Sequence, residues 1–268
     1  MSVLELVSER RSVRTFDGRA LEEEDVQKIS SFASAVKNPY GIPVKWVLLS
    51  ASTSKLNVPV VTGADTYLAG VVADVPHAEE AFGYAFEQVV LYAQSLGIGT
   101  TIIAGTMDRE GFERAISLKE GEVMPCVTPL GYPAKKMSFR EQMMRKGVKA
   151  DVRLPFEKLF FNETFETPLS KEEAGTYGDL LELVRLAPSA VNRQPWRIVK
   201  QGSQFHFFET KAKGFDDGWD IQKVDLGIAL SHFACGLDEQ EIQAEFVLEE
   251  PELSLPENTQ YIATYRIG

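Results

Sequence analysis

Apolar residues recur at helical spacing between Ala78 and Leu96, where Phe82, Ala85, Phe86, Val89, Val90 and Ala93 fall three or four positions apart. That pattern predicts a long buried helix, stopped by Gly97 and Gly99. Ser2 ahead of Val3, Leu4 and Val7 predicts a short N-capped helix that ends near the basic stretch Glu9-Arg10-Arg11-Ser12-Val13-Arg14. A second helix is expected after Leu21, because Glu22-Glu23-Glu24-Asp25 gives it an acidic first turn that suits the positive end of the helix dipole. Pro43 to Leu49, Thr100 to Ala104 and Val123 to Leu130 read as strands, and Asp108 to Ile116 as a helix.

The stretch Lys135 to Arg153 is basic and poor in periodicity, and divides the chain near its middle. The predicted organisation is a first lobe over 1–140, a linker over 141–155 and a second, shortened lobe over 156–268. Beyond the linker the pattern restarts. Leu169-Ser170-Lys171-Glu172-Glu173-Ala174 answers Leu21-Glu22-Glu23-Glu24-Asp25-Val26 at an offset of 169 − 21 = 148, and Ser189-Ala190-Val191 answers Ser34-Ala35-Val36 at 189 − 34 = 155. The difference, 155 − 148 = 7, is about two helical turns, so it lengthens a helix without turning its buried face. Pro195-Trp196-Arg197-Ile198-Val199 then answers Pro43-Val44-Lys45-Trp46-Val47. An internal duplication accounts for all three matches.

The net charge of −11, from 28 basic and 39 acidic side chains, repels phosphate backbones and argues against nucleic acid as a partner. No apolar run reaches the length of a membrane span, and the N-terminus does not read as a secretion signal. Cys126 and Cys235 lack metal or CxxC spacing and read as buried thiols, which fits a cytoplasmic setting. His77, His206 and His232 are scattered without metal spacing, so no metal is expected.

Against that acidic background the basic residues stand out. Arg10-Arg11-Ser12-Val13-Arg14 offers three guanidinium forks and a hydroxyl within five residues, the donor set that a phosphate monoester needs. Taken alone, it reads sooner as a solvated helix end, since basic runs are common. The loop Ala187-Pro188-Ser189-Ala190-Val191-Asn192-Arg193-Gln194-Pro195-Trp196 packs hydroxyl and amide groups between a helix and a strand, and could present them to an aromatic heterocycle. The third feature is Gly97-Ile98-Gly99-Thr100 running to Ala104-Gly105, followed by Pro129-Leu130-Gly131-Tyr132-Pro133. By itself it is glycine-punctuated buried strand.

Together these segments resemble the nitroreductase family of FMN-dependent NAD(P)H oxidoreductases, and the resemblance covers most of the chain. It implies an α+β fold of two related lobes about a pseudo-two-fold axis, each a mostly antiparallel sheet with flanking helices. It also implies Arg10, Arg11, Ser12 and Arg14 at the FMN phosphate and ribityl chain, with Arg14 able to reach the N1/O2 edge. Ala104 and Gly105 would lie at the flavin N5/O4 edge, and Lys135 or Arg140 would add phosphate contacts. Pro188, Ser189, Ala190, Asn192 and Gln194 would form the loop that meets the cofactor.

The motif order departs from that of an ordinary family member, which carries the Pro-Ser loop a few dozen residues after the arginines and binds FMN between two subunits. Here Ala33-Ser34-Ala35-Val36-Lys37-Asn38-Pro39 is a degraded version of the loop, and Lys158-Leu159-Phe160-Phe161-Asn162 has lost every arginine. The complementary losses resemble the branch in which one chain mimics the dimer, so that a monomer suffices for one site. The implied activity is hydride transfer from NAD(P)H through flavin N5 to a flat electron-poor acceptor, a nitroaromatic or quinone, with the flavin rather than a side chain carrying the chemistry. The alternative is a flavin-binding or cofactor-free descendant that binds or senses without turnover.

Overall fold

The computed structural model describes residues 2–211 and 220–268. They form two compact units, Glu9–Ala150 and Asp151–Gly268, the latter joined by the N-terminal residues through Ser8. Helix α1 (Val3–Glu9) opens the chain, buries Val7, and receives a carboxylate at its start: Val3 N donates to Glu239 Oε1 at 2.7 Å. The N-terminal residues expected in the first lobe thus pack with the second unit.

The unit Glu9–Ala150 runs through α2 (Glu23–Ala35), β1 (Lys45–Ser50), α3 (Ala51–Ser54), β2 (Thr66–Ala73), α4 (Ala78–Ser95), α5 (Arg109–Ala115), β3 (Glu122–Val123), β4 (Val127–Leu130) and α6 (Phe139–Gly147). Strand β2 is buried from Tyr67 to Val72 and is central, pairing antiparallel with β1 on one side and with β3 and β4 on the other. Its continuous apolar run follows from burial on both faces. Helix α4 buries Phe82, Phe86 and Val89, and Gly70 allows its close approach: a Cβ there would come within 2.6 Å of both the Phe82 and Trp46 rings.

Two expected strands are broken. Val123 to Leu130 is interrupted at Met124–Cys126, where Pro125 has no N–H for the ladder and the Met124 and Pro125 carbonyls accept from Arg109. Thr100 to Ala104 is reduced to isolated bridges at Thr100 and Ile103, since Thr101 N donates to the Thr128 hydroxyl rather than to a backbone carbonyl. The expected linker at 141–155 opens inside α6, which belongs to this unit and buries Glu141.

The second unit holds β5 (Phe160–Asn162), α7 (Gly178–Leu186), β6 (Trp196–Gln201), β7 (Gln204–Thr210), α8 (Ile221–Glu239), β8 (Ala244–Val247) and β9 (Thr259–Ile267). Its sheet has the order β5-β6-β7-β9-β8, antiparallel except between β5 and β6. Helix α8 is buried nearly all round, with Phe233 against Phe205 and Phe207, and it takes the polar Asp225 and His232 into the interior with its apolar residues. In both units a helix leads through a loop into an antiparallel strand pair and then a long buried helix: α2-β1-α3-β2-α4 in one, where the short α3 lies between the strands, and α7-β6-β7-α8 in the other. The seven-residue difference in offset does not lengthen the helix: α7 has 9 residues against 13 in α2, and the residues that answer the start of α2 lie in turns and a short 3-10 helix before Gly178. Among the described residues, no helix is long and apolar enough to cross a membrane.

Candidate functional site

The arginine segment leaves α1 as chain held by single bridges. Ser12 pairs with Thr100, Thr15 with Thr62, and Phe16 with Pro133. Val13 N donates to the Thr100 carbonyl at 2.8 Å, and Thr62 N to that of Arg14 at 2.9 Å. Val13 is buried against Gly99, where a Cβ would come within 2.9 Å of it. The sequence therefore fixes the backbone by burying Val13 and Phe16, and the arginines must find partners around that frame.

Those partners are two buried acids. Arg10 Nε lies 3.8 Å from Glu87 Oε1 on α4, and Arg11 Nη1 lies 3.3 Å from Glu141 Oε1 on α6. Burial pushes the Arg10 guanidinium pKa down, Glu87 pulls it back up, and Arg145 lowers it further. Arg14 has the same pattern, with burial lowering it, Glu141 raising it and Arg145 lowering it. The Nε atoms of Arg10 and Arg14 are buried and make no hydrogen bond among the described residues, and Glu141 Oε2 has none there either. A phosphate monoester carries about −1.5 to −2 at neutral pH. Buried guanidinium Nε donors left without an acceptor fit the phosphate of a flavin mononucleotide.

Helix α6 ties this cluster together. Ser138 caps it by accepting from Glu141 N at 3.2 Å, and Thr15 Oγ1 takes the Ser138 N–H at 3.1 Å while donating to Ser138 Oγ at 3.0 Å. The capping side chain is thereby bound to the arginine segment itself, and Glu141, freed from the reciprocal capping bond, turns to Arg11. Arg145 was not among the residues read from the sequence. The signal for it was Ser138-Phe139-Arg140-Glu141, a capping-box pattern that starts a helix carrying Glu141 and Arg145 four residues apart. Arg140, one of the two expected phosphate contacts, instead sends Nη1 to the Pro59 carbonyl at 2.6 Å, and Lys135 is exposed.

Ala104 and Gly105 lie where the third feature ends. The Ala104 carbonyl accepts from Arg109 Nη2 at 3.0 Å. A Cβ at Gly105 would meet no atom within 4 Å, and the Gly105 N–H makes no hydrogen bond among the described residues. Exposed backbone bordered by open space is what a flat ring requires for edge-on contact.

In the second unit, the Pro188–Trp196 loop is strained and internally bonded. Val191, Asn192 and Gln194 have φ of 46°, 60° and 53°, the left-handed region that a β-branched residue adopts only when its surroundings impose it. Ser189 Oγ accepts from Gln194 N at 2.9 Å, and Ala190 N donates to both oxygens of the buried Asp225, at 3.0 and 3.1 Å. Asn192 Nδ2 donates to the Val152 carbonyl, while Gln194 Oε1 accepts from Leu154 N. Arg153 adds bonds to Asn192 Oδ1 and the Leu186 carbonyl. The side chains of Ser189, Asn192 and Gln194, read from the sequence as cofactor-facing, thus bind their own unit. Pro188 is half-buried at the loop's start. Of the counterpart residues, Ser34 is spent in the last turn of α2, where its hydroxyl donates to the Ser30 carbonyl.

Comparison with known proteins gives the family and the fold. The family model described as "Putative TM nitroreductase" matches residues 2–237. A "Putative NADH dehydrogenase/NAD(P)H nitroreductase" of Methanothermobacter thermautotrophicus is 30% identical over 159 residues, spanning 53% of this chain and 82% of that protein. The crystal structure of a nitroreductase of Thermotoga maritima, itself given as putative, superposes over 100% of this chain and 93% of its own, with a TM-score of 0.60 at 21% identity. With the family model spanning both units and the fold shared along the whole chain, this protein belongs to the nitroreductase family.

Proposed function

We propose that the chain is an FMN-dependent NAD(P)H oxidoreductase whose cofactor phosphate is held by Arg10, Arg14 and Arg145 in the unit Glu9–Ala150, by the duplicated, single-chain branch of the family. The observation that carries this reading is the pair of buried Nε donors on Arg10 and Arg14 that have no hydrogen-bond acceptor among the described residues. A buried guanidinium without a full set of acceptors is costly, and an anion that supplies them turns that cost into affinity. Ser12 adds a hydroxyl at the same segment. Glu87 and Glu141 keep the arginines apart and fixed before the anion arrives, so little ordering is left to binding.

Bound FMN supplies acceptance of hydride from NAD(P)H and its delivery to a flat electron-poor acceptor of nitroaromatic or quinone type. The chain's part is to hold the phosphate with permanent cations and to offer the Gly105 backbone at the ring edge. Purified protein incubated with FMN and freed of excess by gel filtration should retain about one equivalent per chain, read from flavin absorbance, and should then oxidise NAD(P)H in the presence of a quinone. No retained flavin overturns the reading. Retained flavin without turnover against any nitroaromatic or quinone assigns the chain to binding or sensing instead.

A further inference from the structure

Arg109 opens α5 and turns its guanidinium back along the chain. Nη1 donates to the Met124 carbonyl at 2.8 Å, and Nη2 to the carbonyls of Ala104 at 3.0 Å and Pro125 at 3.2 Å. The residue is itself fixed: Asp108 caps the helix by accepting from Gly111 N at 3.0 Å, and Glu113 lies 3.7 Å from Nη1. Three carbonyls that leave no regular sheet, two of them flanking the break at Pro125, thus converge on one planar fork. A point charge on a flexible stem could not serve them together.

The peptide joining Ala104 to Gly105 is planar and trans, so its C=O and N–H point in opposite directions. We infer that Arg109 is a positioning residue: by fixing the Ala104 carbonyl, it aims the Gly105 N–H into the open space beside it as a single directed donor for the acceptor edge of the flavin ring. The inference rests on the FMN reading above and adds to it the side chain that sets this donor. Without the clamp the peptide plane is free to rotate, and the donor loses its direction although nothing at the phosphate cluster changes.

Amide hydrogen exchange at Gly105, followed by NMR with and without FMN, tests this in the wild type, Arg109→Ala and Arg109→Lys. In the wild type, bound FMN should slow exchange at Gly105 by about tenfold or more. Arg109→Ala should still bind FMN within about threefold, because the phosphate contacts remain, yet show no protection at Gly105 and a flavin absorption band closer to that of free FMN. Arg109→Lys should restore part of both. Full protection in Arg109→Ala overturns the inference, as does an unprotected Gly105 amide in FMN-loaded wild type, a result that holds even if neither variant folds. Failure of the wild type to bind FMN is a separate outcome, which removes the FMN reading and this inference with it.

Discussion

Arg10 Nε and Glu87 Oε1 face each other at 3.8 Å with their side chains 7% and 0% exposed, an ion pair too long to be a hydrogen bond. The carboxylate neutralises the guanidinium without using up its donor. Glu87→Gln should therefore lower the stability of the cofactor-free protein by about 3–5 kcal/mol, the usual consequence of leaving one member of a buried pair alone. Saturating FMN should recover more stability in this variant than in the wild type, since its phosphate replaces the missing anion. Denaturant unfolding with and without FMN measures both, and an equal FMN effect in the two proteins refutes the counter-charge role.

The arginines should separate by position. Arg10→Ala with Arg14→Ala should weaken FMN by about a hundredfold or more, from charge-assisted bonds of about 1.5–3 kcal/mol each. Arg145→Ala should weaken it by about tenfold, whereas Arg140→Ala, whose guanidinium is turned to the Pro59 carbonyl, should have almost no effect. Flavin fluorescence titration ranks them, and a larger loss from Arg140 than from Arg145 would move the phosphate to the far side of α6.

Two glycines give opposite outcomes when each is replaced by alanine. At Gly70 the new methyl meets Phe82 and Trp46 at 2.6 Å, so Gly70→Ala should cost about 1–3 kcal/mol by overpacking. At Gly105 there is nothing within 4 Å. Gly105→Ala should leave thermal unfolding of the cofactor-free protein unchanged and, on the proposed placement of the flavin, weaken FMN by about tenfold, because the methyl would enter the space proposed for the ring. Undiminished FMN binding by Gly105→Ala would show that the ring lies elsewhere.

The second unit carries two opposed titrations. Burial, aided by Asp220 and opposed by Lys211 and Gln260, pushes the Glu209 carboxyl up to about 7 from an ordinary 4.5. Burial, aided by Arg266, pushes His206 down to about 4 from 6.5. The folded state keeps the Glu209 proton that the unfolded chain releases, so this contribution is full below pH 4.5 and fades as pH rises towards 7. His206 works the other way: its contribution is full above pH 6.5 and fades as pH falls towards 4. Across that window they nearly cancel. Glu209→Gln should unmask stability that rises with pH, and His206→Gln stability that falls with it, each by roughly 2–3 kcal/mol over the window. Chemical denaturation at pH 4.5, 5.5 and 6.5 reads the slopes, and parallel curves for the wild type and both variants would contradict the assignment.

Where apolar side chains set the period, the sequence was readable. Phe82, Phe86 and Val89 announce α4, and Val3, Leu4 and Val7 announce α1. Strand β2 was not read, because a run such as Tyr67 to Val72, buried on both faces, carries neither helical nor strand periodicity. Helix α6 inverts the usual signal: its buried face carries Glu141, while Phe139 and Met143 are 77% and 52% exposed. A search for apolar stripes passes over such a helix, and with it Arg145. The arginine segment stands out in composition as a cluster of cationic donors, while the loop at Pro188 places its side chains otherwise than its composition suggests. Its amides are the residue types that bind a heterocycle, and they are equally the types that hold a strained loop to its own unit, as Asn192 and Gln194 do.

The second unit is discontinuous, since its opening helix, with Val3 bonded to Glu239, precedes the whole of Glu9–Ala150. During synthesis, the unit Glu9–Ala150 is complete and can fold once Ala150 has emerged, with its cation cluster already assembled. The other unit must wait for residues near the chain's end before its first helix finds its place. Cutting the chain between Ala150 and Asp151 would likewise not yield two intact halves: the C-terminal fragment would lack the helix that meets Glu239, and the N-terminal fragment would carry it with Val7 uncovered.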